Sequence, residues 1–140
     1  MGSNEDIMHD FVRKELKRLY PTVDGWQIKP APKIEGKEQG FVVSRRLLGR
    51  SEGSFVLVSF DNEVTPDTIE HLKSIEKSGQ MASVAKPGRI LVVPKGSNTS
   101  NVPDDIRIIQ MQSFGFDGKE LIWLKRRAQM SEKVISQEST

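Results

Sequence analysis

Apolar residues along the chain switch between two periods, and the switches mark the elements. Ile7, Met8, Phe11, Val12, Leu16, Leu19 and Tyr20 recur at helical spacing. They predict an amphipathic helix over residues 4–20, with Arg13, Lys14, Lys17 and Arg18 towards water. Asn4 suits the N-cap, Glu5 and Asp6 suit the positive helix start, and Pro21 closes the segment. Residues 26–29 alternate as a short strand ahead of Pro30 and Pro32. Residues 41–48 (FVVSRRLL) read as a second strand and Gly49 to Gly53 as a turn. Ser54 to Phe60 (SFVLVSF) is the most apolar strand, and a run apolar on both faces belongs in the middle of a sheet covered on two sides.

The next helix is the best signposted. Thr65 is its cap, Pro66 its first residue and Asp67 lies in its first turn. Ile69, Leu72 and Ile75 form the buried stripe, and Gly79 is the expected left-handed stop. Arg89 to Pro94 (RILVVP) and Ile106 to Met111 are further strands, separated by a Gly/Ser/Asn/Thr loop from Lys95 to Asn101. Phe116 to Lys119 is a hairpin signal, with Glu120 to Lys125 returning as an edge strand. The expected fold is α/β: a mixed β-sheet flanked by helices, in the order α-β-β-β-α-β-β with an extra C-terminal edge strand. Three strands on short turns make an antiparallel meander, and the second helix has the length of a right-handed crossover to a parallel strand. Residues 4–128 form one domain, and the polar stretch 129–140, lacking an apolar period, reads as a disordered tail.

Composition narrows the chemistry. The absence of cysteine excludes disulfides, thiolate metal sites and a cysteine nucleophile. No apolar run has the length of a membrane span and residues 1–10 do not resemble a signal peptide, so a soluble, cytoplasmic protein is expected. Net charge is only +2, but residues 29–50 carry a local +4, residues 51–70 a local −5 and residues 71–99 a local +4. That alternation sets a basic face beside an acidic notch, or else reflects ordinary solvated loops.

The segment SFVLVSFDNEVTPDTIEHLKSIEKSG, followed by RILVVPKG and DDIRIIQM, places the most apolar strand just before a capped crossover helix. Over residues 5–112 this resembles the restriction-endonuclease-like fold of the PD-(D/E)XK nucleases. In that family the central strand ends in an acid–x–lysine pair, and the resemblance implies a magnesium site built from acids on adjacent strands. Set inside the strand, the motif falls on Leu57 and Ser59, which neither ligate magnesium nor activate water. Slid to the strand end, it falls on Asp61 and Glu63. The preceding strand has no acid, Glu38 and Glu52 lie in the flanking loops, and Glu15 matches a place where the family often carries an accessory acid.

Other constellations are thinner. Asp67 and His71 share a helix face at i, i+4, without a third ligand. One of Arg45 and Arg46 must point inward or to an edge, bound to phosphate or to an internal acid such as Glu52 or Glu63. Lys125, Arg126 and Arg127 follow Trp123, and basic side chains beside an aromatic suit a nucleic-acid groove. There is no nucleotide cradle and no elbow serine. The expected function is a non-catalytic nucleic-acid-binding or assembly domain on a nuclease-like scaffold. It would contact DNA or RNA backbone through Arg45, Arg46, Lys125, Arg126 and Arg127, without a cofactor or a membrane. The alternatives are a divergent magnesium-dependent nuclease using Asp61, Glu63 and either Glu15 or Glu38, and a protein–protein adaptor.

Overall fold

The computed structural model describes residues 4–33, 36, 39–77, 84 and 86–124. Its elements are α1 (Asn4–Leu19), a 3-10 turn at Thr22–Asp24, β1 (Gln27–Pro30), β2 (Gly40–Leu47), β3 (Arg50–Val58), α2 (Pro66–Glu76), β4 (Gly88–Pro94), β5 (Arg107–Met111), β6 (Phe114–Asp117) and β7 (Glu120–Trp123). The first five strands make one sheet in the order β1-β2-β3-β4-β5. The pairs β1/β2 and β2/β3 are antiparallel, and β3/β4 and β4/β5 are parallel. The fold is therefore α/β with a mixed sheet, as expected. The parallel step from β3 to β4 runs through α2, whose crossover fits the Thr65 cap and Pro66 start.

The doubly apolar character of β3 has a direct cause. Phe55 and Leu57 point to the α2 face, where they meet Leu72, Ile75, Leu91 and Val93 in one core. Val56 and Val58 point to the α1 face, where they meet Met8, Val12, Leu16, Phe41 and Val92 in the other. Arg89 ties the second helix to the sheet: it bonds Glu76 at the end of α2 and Asp105 before β5. The hydrogen bond to Glu76 raises the guanidinium pKa above its ordinary value.

Two expectations need correction. The segment 49–53 is not a turn: β3 begins at Arg50, Leu47 pairs with Arg50, and only Leu48 and Gly49 make the bend. The ladder there is held by backbone bonds beyond the cover of either helix, so its side chains are polar without ending the strand. The C-terminal strand is not an edge of the main sheet either. β6 and β7 pair with each other as a separate two-stranded sheet, turning at Gly118 (φ +65°). This hairpin packs on the α1 face because Phe114 and Leu121 are buried there with Met8 and Met111. The predicted tail at 129–140, Gly79 and Lys125 at the end of the predicted edge strand lie outside the described residues.

Candidate functional site: an acidic cleft and a basic end

In open α/β sheets ligands collect beyond the carboxyl ends of parallel strands. At that end of β3 lies a cleft of about 480 Å³ that reaches the first turns of both helices. Glu5 comes from α1, Asp67, Thr68 and His71 from α2, Gln39 from the approach to β2, and Leu57, Ser59 and Asp61 from β3 and its exit. Val58 and Phe60 line the cleft too, because the chain leaves the strand after Val58 and runs along the cleft floor. The exit loop is pinned: Ser97 Oγ donates to the Asp61 carbonyl (2.9 Å), Asn98 N to the Asn62 carbonyl (2.8 Å), and Val64 N to the Asn98 carbonyl (2.9 Å). Inside the cleft the Asp61 N–H donates to the buried Ser59 hydroxyl at 3.4 Å, and the Gln39 amide donates to the Val58 carbonyl at 3.2 Å. Acids in both helix first turns complement the positive helix ends, so the cleft gathers carboxylates for a reason internal to the fold.

The acids expected from the sequence are dispersed. Asp61 lines the cleft, whereas Glu63 sits outside its lining, in a bridge with Asn98. Glu15 is bound to Arg18 and lies ten residues along α1 from Glu5, which is about 15 Å by helical rise. Glu38 lies outside the described residues. Among the described residues, no group of three or more His, Asp or Glu is placed to hold a metal ion. Sequence reasoning missed Glu5 and Gln39 as cleft residues. Asp67 and His71, which the sequence sets on one helix face without a third ligand, form part of the cleft wall.

The opposite end of the sheet gathers basic side chains around Glu15, Asp24 and Glu52. The chain leaves α1 through Tyr20, which meets the Trp26 ring edge-on at 4.8 Å between centroids. The Arg45 guanidinium then lies 4.6 Å from the Trp26 ring, its Nε donates to Glu52 at 3.0 Å, and its terminal nitrogen donates to the Asp24 carbonyl at 3.4 Å. Arg45 is thus the inward arginine of the pair, held by its cross-strand partner Glu52. Arg46 points to the other face and is exposed. Arg50 is exposed too, 3.8 Å from Glu52, and Lys14, Lys17 and Arg18 face water on the last turns of α1. Among the described residues, three of the four exposed large apolar side chains, Leu19, Val23 and Leu48, occur at this same end. Trp123 is half-buried and packs edge-on against Phe11 (5.7 Å) on the α1 face, while Lys125, Arg126 and Arg127 lie outside the described residues. No helix among the described residues is long and apolar enough to cross a membrane. No family model, curated protein or solved structure matches the chain.

Proposed function

We propose that the chain is a nucleic-acid-binding domain without hydrolytic chemistry, built on a nuclease-like scaffold, and that it meets the phosphate backbone with its basic end. The observation that carries this reading is the segregation of charge. Lys14, Lys17, Arg46 and Arg50 are exposed at one end of the sheet, and Glu5, Asp61 and Asp67 line the cleft at the other. A polyanion is drawn to the first end and repelled from the second. The meander β1-β2-β3 followed by a crossover helix to parallel β4 is the arrangement that the nuclease resemblance implies. Of the first pair of motif positions, Leu57 lies in β3 and Ser59 just past its end; of the second, Asp61 enters the cleft without Glu63. Those placements support binding over hydrolysis.

Fluorescence anisotropy with a labelled duplex tests the reading. Expected affinity is on the order of 10⁻⁴–10⁻⁶ M at physiological salt, falling with salt at a slope near −0.9 per phosphate neutralised. Arg46→Ala combined with Arg50→Ala is expected to flatten that slope by about 1.8. The same duplex incubated with Mg²⁺ or Mn²⁺ is expected to stay intact. Absence of binding at low salt would remove the proposal, and cleavage abolished by Asp61→Ala would replace it with the nuclease.

A further inference from the structure

We infer that the tip of the β2–β3 ribbon enters a groove of duplex nucleic acid and wedges Leu48 between base pairs, with Arg46 and Arg50 on the phosphates either side. The inference rests on the nucleic-acid reading above and specifies its partner as a double strand. Leu48 is as exposed as a side chain in an extended peptide, at 104%. It occupies a bend position that small polar residues ordinarily fill. The backbone demand of the bend is met by its neighbour Gly49, which takes φ +83°. At that exposure the leucine side chain packs on nothing among the described residues and projects beyond both cores.

The flanking arginines complete the geometry. Register pairs Arg46 with Ser51 and Arg50 with Leu47, so strand alternation sends the two guanidinium groups to opposite faces of the ribbon. A flat anionic surface such as a lipid leaflet would meet one face of a ribbon. Cations on both faces suit a partner that rises on either side of the tip, as the two phosphate walls of a groove do. A two-stranded ribbon is of a size that DNA grooves admit, and leucine is among the apolar side chains that unstack base steps when driven between them. Glu52, behind the tip, holds Arg45 at 3.0 Å on the ribbon; its other oxygen lies 3.8 Å from Arg50, a long contact to a side chain that stays 72% exposed and can swing forward to a phosphate.

A duplex carrying 2-aminopurine at a flexible TA step reports unstacking as a rise in fluorescence, while anisotropy on the same duplex reports binding. The full chain is expected to bind and to raise the 2-aminopurine signal. Leu48→Ala is expected to abolish the rise, to weaken binding on the order of threefold to tenfold, and to leave the salt slope unchanged. Leu48→Phe is expected to restore the rise. Binding by the full chain without any rise would overturn the wedge and leave backbone binding standing, whereas absence of binding would remove both. Leu48-dependent binding to phosphatidylserine vesicles in place of the duplex would overturn the inference in favour of a membrane surface.

Discussion

Phe114→Ala is expected to lower the free energy of unfolding by about 3–5 kcal/mol, the cost of a large cavity in a core that relaxes only partly. Phe114 is fully buried (0% exposed) and is the largest completely enclosed side chain among the described residues. Its ring meets Phe11 of α1 edge-on at 5.5 Å and stacks near Trp123 of β7 at 6.4 Å. The backbone around it is tied to the main fold as well. Lys95 N donates to the Phe114 carbonyl (2.8 Å), and the Asn4 amide to the Leu121 carbonyl (2.8 Å). The β6–β7 hairpin is therefore a second layer beside α1, not an appendage. Urea denaturation measures the effect, with Phe114→Leu as a control that keeps most of the volume. A loss below about 1 kcal/mol for the alanine variant would mean that the hairpin does not belong to the cooperative core.

Gly40→Ala is expected to cost about 2–3 kcal/mol for the opposite reason, overpacking. An added Cβ would stand 2.8 Å from the Val56 carbonyl oxygen and 2.8 Å from Ile75 Cδ1, with Ala31 Cβ at 3.2 Å. The Val56 oxygen is part of the backbone of the central strand and cannot rotate away. Gly88 provides the contrast within the same sheet. Its added Cβ would meet Ser54 Oγ at 2.5 Å, which a rotamer change relieves. Gly88→Ala is expected to cost less than about 1 kcal/mol, since alanine also narrows the unfolded ensemble. Equal losses at the two positions would show that β2 and β3 can separate without penalty.

Much of this architecture is legible in the order of residues alone, and the parts that are not share a cause. The period of α1, the cap of α2 and the doubly apolar β3 are local patterns, and each survives in place. The Arg50 to Gly53 segment misleads because side-chain polarity reports cover by helices, while strand extent is set by backbone pairing. The β6–β7 hairpin is signalled by its turn, but its choice of the α1 face depends on where Phe114 and Leu121 find room, which is a tertiary matter. The site behaves likewise. The i, i+4 spacing of Asp67 and His71 is visible in the sequence, yet Glu5 joins them only because α1 begins beside the exit of β3. The pairing of Arg45 with Glu52 follows from register, so it becomes readable once the hairpin is known to close at Gly49 rather than to open there.

Hydrogen–deuterium exchange of the full chain, with and without a saturating duplex at low salt, tests most directly which end of the sheet meets nucleic acid. Slowed exchange is expected at residues 44–53 of the β2–β3 ribbon and at residues 17–26 where α1 gives way to β1. Residues 59–71 around the acidic cleft are expected to exchange at unchanged rates. Protection confined to residues 59–71, with none in the ribbon, would contradict the account and place the nucleic acid in the cleft.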